Sequence, residues 1–210
     1  MMLVTRPDND EATHYLSEYA ELSLAAAKEK SFSIIDLKKE KATRRNLESY
    51  IAKQNPSLIF FNGHGGPDVV TGHLMEPLVK LGENESILRS KIVYSIACSS
   101  SKRLGPESIR SGALCYVGYS DDFIFLVDKN KETEPVKDGL ASMFLEHSLI
   151  FVKTLVKGNT VSNAYEKAKN KLYENFASAV TSNDYDVAQY LFWDYMIFMK
   201  DGDDSAGIDG

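Results

Sequence analysis

The sequence predicts an α/β fold in which helices cover both faces of a mostly parallel sheet. Two short runs carry the prediction: Ser-Leu-Ile-Phe-Phe-Asn-Gly-His-Gly-Gly from Ser57 to Gly66, and Lys-Ile-Val-Tyr-Ser-Ile-Ala-Cys-Ser-Ser from Lys91 to Ser100. Each is apolar, β-branched and aromatic until it stops at one reactive side chain flanked by small residues. Runs of this length bounded by Gly, Ser and Pro read as strands buried on both faces, the habit of parallel sheets. The third observation is order. Strand-like and helix-like segments alternate from the first residues to His64, and right-handed crossovers turn such an alternation into one parallel sheet with helices on both sides.

Taken in order, Met2 to Thr5 is a short apolar strand closed by Arg6-Pro7. Asp8-Asn9-Asp10-Glu11 then offers N-cap side chains and first-turn acids to a helix from Ala12 to Lys30, along which Tyr15, Tyr19, Leu22 and Ala26 recur at helical spacing. Phe32 to Leu37 reads as the second strand. A second helix over Thr43 to Gln54 has Leu47, Tyr50 and Ile51 on one face, and Pro56 marks its end. The strand that stops at His64 is the third. Asp68 to Ser90, punctuated by Gly72, Pro77 and Gly82, reads as a polar loop with little regular structure. After the Cys98 strand come a short helix within Ser99 to Ser111, a strand from Ala113 to Tyr119, and an apolar piece, Phe123 to Val127, that extends the sheet.

Asp128 to Asp138 is a charged loop exposing Lys129, Lys131 and Lys137, the kind of segment where proteolytic nicking concentrates. Helices over Leu140 to Val156 and Val161 to Val180 are separated by Gly158-Asn159-Thr160, a C-terminal stop followed by a new N-cap. Tyr190 to Met199 is aromatic, holds the single tryptophan, Trp193, and packs back on the sheet. Asp201 to Gly210 is polar and glycine-rich and reads as disordered. The expectation is one domain over residues 1–200 and a disordered tail over 201–210.

Composition narrows the function. With 43% hydrophobic and 26% charged residues, the 210-residue chain is an ordinary globular one, long enough for a single buried core. A formal net charge of −6 argues against nucleic-acid binding, which needs a basic face. No apolar segment approaches a membrane span, and Met1 to Pro7 lacks the charged and apolar regions of a secretory signal. The two cysteines, Cys98 and Cys115, fit a reducing compartment, so a cytoplasmic protein is expected.

In open parallel sheets the chemistry collects beyond the carboxyl ends of the strands, and the sequence puts a thiol and an imidazole at two such ends. Cys98 is followed by Ser99-Ser100-Ser101, read as a helix start whose amides and dipole favour a thiolate. The bland alternative is a buried structural thiol. Cys115, inside Leu114-Cys115-Tyr116-Val117, reads as inert core. His64 stands between glycines that let backbone approach a ligand; the bland reading is a turn histidine without a role. A phosphate-cradling loop is disfavoured because the G-x-x-x-x-G-K-[ST] pattern is missing. His14, His73 and His147 read as helix or loop residues. A metal site from His64, Asp68, His73 and Cys98 matches no standard zinc spacing, and no metal or cofactor is implied.

The two motifs together, an apolar strand ending in His64-Gly65 and a later one ending in Ala97-Cys98, resemble the signature of the caspase-like superfamily of cysteine peptidases. The similarity runs over roughly Leu3 to Val127 and implies a caspase-like three-layer sandwich. The caspase pattern Q-A-C-[RQG]-G is absent, since Ile96 replaces the Gln and Ser99-Ser100 the following pair. Ile96 is not the Asp of metacaspase- and clostripain-like members either. The sequence is more similar to the gingipain and CHAT branch, where an apolar residue at that place is usual.

The resemblance implies a cysteine endopeptidase acting on a protein or peptide, with Cys98 as nucleophile and His64 as its acid–base partner. The oxyanion donors it implies are the backbone N–H groups of Gly65 and Cys98, and it requires no third catalytic residue. Family members carry charged specificity residues just after the first strand or in the loop after the strand that follows the nucleophile. Here those regions hold Asp8, Asp10, Asp121 and Asp122 against Arg6 alone, which points to cleavage after Arg or Lys; caps and turns are the competing role for these carboxylates. A basic-specific enzyme could also cut its own Asp128–Asp138 loop. Two other classes stand beside this reading: a catalytically idle caspase-like module that binds a protein, and a metal- or phosphate-binding α/β hydrolase. The oligomeric state is left open.

Overall fold

The computed structural model describes residues 1–208. Strands β1 (Met2–Arg6), β2 (Ile34–Lys38) and β3 (Leu58–Asn62) alternate with helices α1 (Glu11–Glu29) and α2 (Arg44–Gln54). Each helix starts where the sequence supplies a cap. Asp10 forms a reciprocal capping box with Thr13, and the Thr43 hydroxyl accepts from the Asn46 amide. Asn55 stops α2 in the left-handed conformation.

The segment expected to be an irregular loop, Asp68 to Ser90, instead supplies two strands, β5 (Val69–Thr71) and β6 (Pro77–Lys80), of a small antiparallel sheet completed by β4 (Gly65–Gly66). Its strands are two to four residues long and broken by Gly and Pro, too short to leave a period in the sequence. Next come β7 (Ile92–Ile96), α3 (Leu104–Arg110), β8 (Cys115–Tyr119), α4 (Gly139–Leu155), α5 (Val161–Thr181), α6 (Tyr185–Ile197) and β9 (Phe198–Gly202).

The main sheet runs β2-β1-β3-β7-β8-β9, parallel throughout except for β9. β1, β3, β7 and β8 are buried at every residue. Alternate side chains enter two cores. Met2, Val4, Phe60, Tyr94 and Val117 meet α1, α4, α5 and α6, while Leu3, Ile59, Phe61, Val93 and Tyr116 meet α2, α3 and the small sheet. Each such apolar side chain contributes roughly 1.5–3 kcal/mol by leaving water.

Two expectations for the C-terminal half are corrected. Phe123 to Val127 does not join the sheet, because the outer edge of β8 is already taken by β9, arriving from the end of the chain. Residues 201–208 of the expected disordered tail are ordered, and residues 209–210 lie outside the described residues. Asp201 and Gly202 pair with Tyr116 and Cys115, the Val161 amide donates to Ala206 O, and Ala206 and Ile208 are buried. Gly202 has φ of 103° and lies so close to β8 that an added Cβ would stand 2.4 Å from Leu114 O, so this glycine closes the sheet rather than loosening the chain.

The charged loop is likewise pinned. Buried Asp138 accepts from the Asp128, Leu140 and Ala141 amides and the Tyr15 hydroxyl, tying both loop ends to α1 and α4. Lys129 pairs with Glu11, and Lys137 with Glu134. Among the described residues no helix is long and apolar enough to cross a membrane.

Candidate active site

Register brings the two reactive side chains together. β3 and β7 are neighbours with Asn62 opposite Ile96, so His64 and Cys98 each lie two residues past a paired strand end. Neighbouring strands are about 4.8 Å apart. Both side chains line one cavity of about 140 Å³, together with Ala12 and Leu16 of α1 and with Phe123 and Phe125. The β1 and β8 loops flank them, so four parallel strands deliver their carboxyl ends to one place.

His64 is held from behind. Its Nε2 is 2.7 Å from Asp10 Oδ2, and because a carboxylate only accepts, Nε2 is the donor, so in the neutral imidazole Nδ1 is the acceptor. Burial would raise the Asp10 carboxyl, but the Thr13 amide and His64 outweigh it and hold it below the ordinary aspartate value. The same carboxylate thus caps α1 and orients the imidazole. Glycines make this close geometry feasible: a Cβ on Gly65 would stand 2.8 Å from Ala97 Cβ and 3.1 Å from Cys98 O.

Cys98 is half-buried, and its Sγ donates to Phe123 O at 3.7 Å rather than to His64. Burial pushes the thiol up, and the nearby carboxylates of Asp122 and Asp194 add to the shift. The expected helix start at Ser99-Ser100-Ser101 is a turn, and α3 begins only at Leu104, six residues past Cys98, so its N-terminus does not support a thiolate there. Ser99 takes φ of 55°, a left-handed conformation fixed by its amide donating to Asp121 O. Cys115 lies wholly inside the sheet with its thiol pushed up to about 12, chiefly by burial.

The four candidate specificity carboxylates fall on two sides. Asp8 and Asp10 line an acidic cavity of about 440 Å³ with Glu11 and Glu132, adjoining the groove over Phe123 and Phe125. Asp8 is engaged with His14 and Lys39. Across the thiol, exposed Asp122 has Oδ1 3.4 Å from Ser99 Oγ, and Asp121 accepts the Asp122 amide. Arg6 takes no part: it is buried and paired with Asp36 and Glu21. His73 bonds Asn9 and Asp68 faces Arg103, so the four residues considered for a metal are not gathered. Among the described residues no three His, Cys, Asp or Glu side chains form a group suited to a metal.

Sequence reasoning missed the link from Asp10 to His64. It also missed the Phe123 carbonyl that accepts from the thiol, and Trp193 and Asp194, which bond the backbone on either side of Phe123. The capping pattern that marked Asp10 was its only signal, and α6 lies too far along the chain to be associated with Cys98.

Among solved structures, the fold is similar to Porphyromonas gingivalis RgpB in a complex of its pro- and mature domains, at TM-score 0.63 and 10% identity. That superposition covers 97% of this chain and 47% of the other, so the chain spans about half the length of that protein. An inactive zymogen C11 protease from Parabacteroides distasonis matches at TM-score 0.39 and 14% identity, over 75% of this chain and 58% of that one. No family model and no curated protein matches the sequence. The six-stranded, mostly parallel sheet with helices on both faces is an α/β fold of the caspase-like kind.

Proposed function

We propose that the chain is a cysteine endopeptidase in which Cys98 and His64 form the catalytic dyad and Asp10 orients the histidine. The observation that carries this reading is the matched position of the two side chains, each two residues past a paired end of adjacent parallel strands and both facing one cavity. In this mechanism His64 Nδ1 takes the Cys98 proton as sulfur attacks the scissile carbonyl carbon. The C–N bond then breaks, and the imidazolium returns the proton to the departing amine. A water deprotonated by His64 attacks the thioester and releases the acid and the thiol. The Cys98 amide, which has no partner on another residue among the described residues, and the Gly65 amide are the oxyanion donors in this scheme.

Acidic residues on both sides of the thiol support cleavage after Arg or Lys, by charge-assisted pairing with a guanidinium or ammonium group. Asp122 is the carboxylate closest to this task, through its contact with Ser99. A peptide library varied at the residue before the cleaved bond tests it: Arg and Lys peptides should dominate, and Asp122→Asn should weaken that preference about tenfold or more, as removal of one charged hydrogen-bond partner does. Equal turnover of Asp-, Leu- and Arg-containing peptides contradicts the specificity.

One observation favours a second reading, a catalytically idle binding module: the thiol is bonded to Phe123 O and not to His64. A mechanism-based thiol probe separates the two, since the peptidase reading requires that labelling of Cys98 fall in His64→Ala.

A further inference from the structure

The segment that covers the nucleophile is fastened from a distant part of the chain. Phe123 is the residue whose carbonyl accepts the Cys98 thiol. The two backbone groups on either side of it are held by consecutive residues of α6: Trp193 Nε1 donates to Asp122 O at 2.8 Å, and Asp194 Oδ1 accepts from the Ile124 amide at 3.1 Å. The Phe123 ring is seated below on Tyr119, with centroids 4.4 Å apart. Beyond it the chain has no sheet partner among the described residues as far as Val127, so these side-chain bonds fix its path over the cavity.

Asp194 is an expensive fastener. It is fully buried, its second oxygen Oδ2 has no hydrogen-bond partner among the described residues, and burial drives its carboxyl well above the ordinary aspartate range. A half-satisfied buried carboxyl costs stability, and such groups persist where they hold a particular arrangement in place.

We propose that Trp193 and Asp194 are positioning residues that clamp the Asp122–Ile124 backbone over Cys98, so that α6 sets the accessibility of the thiol. With the clamp closed, Phe123 O occupies the thiol proton and Phe123 and Phe125 wall the cavity. With it open, the thiol is released toward His64 and a substrate. The inference stands whether or not the site hydrolyses peptides, because it concerns the exposure of one sulfur.

The two cysteines make the test internal. The full chain is treated with iodoacetamide, and modification at Cys98 and Cys115 is followed separately by mass spectrometry. Asp194→Ala removes one bond and Trp193→Phe the other while keeping a ring; Asp194→Asn keeps a carbonyl oxygen to accept from Ile124. The clamp predicts that Cys98 alkylation accelerates about tenfold in Asp194→Ala and about threefold in Trp193→Phe, in keeping with the net worth of single hydrogen bonds. Cys115 stays protected, and Asp194→Asn remains within about twofold of the parent, since the bond to Ile124 survives. The midpoint of the alkylation–pH curve should also fall in Asp194→Ala, as water reaches the thiol.

Parental rates and midpoints at Cys98 in both Asp194→Ala and Trp193→Phe overturn the proposal, as does equal acceleration in Asp194→Asn and Asp194→Ala. If Asp194→Ala exposes Cys115 through unfolding, Trp193→Phe decides alone. Faster labelling of Cys98 with Cys115 protected then supports the clamp, and an unchanged rate refutes it.

Discussion

The two ends of the main sheet are secured in different ways. At the amino end the strands are stitched by main-chain bonds: Met2 N to Ser33 O, Ser57 N to Met1 O, Ile92 N to Ser57 O, Leu114 N to Lys91 O and Asp203 N to Leu114 O. At the carboxyl end main-chain bonds such as Ser99 N to Asp121 O and Ser101 N to Tyr119 O are joined by bonds from side chains: His64 on Asp10, Cys98 on Phe123 O, Trp193 on Asp122 O and Asp194 on Ile124 N. Main-chain stitching tolerates most changes of side chain. A rim fastened by titratable and aromatic side chains can change its arrangement when one group moves or gains a proton, and binding and catalytic residues are often carried by such loops on a rigid scaffold. The contrast leads us to expect changes at one end to act on stability and changes at the other to act on the proposed chemistry.

The sharpest way to break that contrast is His64→Ala. It should lower kcat/KM for peptide hydrolysis by about 10²- to 10⁴-fold, the usual worth of a general acid–base, and leave the thermal transition near the parent's because the side chain is partly exposed. At the opposite end Gly202→Ala should do the reverse. The added Cβ collides with Leu114 O at a positive φ, so stability falls by about 3 kcal/mol or more, read by urea denaturation, with kcat of the folded fraction unchanged.

A third test lies beneath the rim. Buried His147 accepts from the Tyr119 hydroxyl through Nε2 and donates from Nδ1 to Phe144 O, and burial lowers its pKa to about 4. Between about 6.5 and 4 the unfolded chain binds the proton more readily, so this contribution is complete above that window and lost as pH falls through it, in all about 3 kcal/mol. Asp194, whose carboxyl burial raises, acts in the opposite sense, so the contribution is read as the difference between the parent and His147→Phe, which should gain less stability than the parent as pH rises from about 4 to 6.5. The smallest effect separates the two duties of Asp10. Asn caps a helix as well as Asp, so Asp10→Asn should keep the melting temperature but cost about tenfold in kcat, as loss of one charged hydrogen bond does; equal losses in both would tie the residue to the cap alone.

Much of this was legible in the sequence because its causes are local. The β-α-β-α-β order, the buried strands, the Asp10 and Thr43 caps and the break at Gly158-Asn159-Thr160 all follow from residues within a few positions of one another. The same holds for His64 and Cys98 at strand ends, since an apolar run stopping at Gly or Ser marks the end directly. What escaped depends on distant partners. Phe123 to Val127 has strand composition but loses its place to β9, and the tail looks disordered until Gly202 is seen against Leu114. Asp10 read as a cap and a specificity carboxylate, and its contact with His64 appears only when β1 and β3 are neighbours.

One assay sets the two thiols against each other. Hydrolysis of an Arg-containing fluorogenic peptide is measured for the parent, Cys98→Ala and Cys115→Ala, with folding checked by circular dichroism. Cys98 stands at the carboxyl rim beside His64, so Cys98→Ala should be folded and inactive. Cys115 is sealed within β8, so Cys115→Ala should keep parental kcat while losing about 1 kcal/mol of stability. Hydrolysis by Cys98→Ala at the parental rate, or a folded Cys115→Ala without activity, would contradict the assignment of the nucleophile.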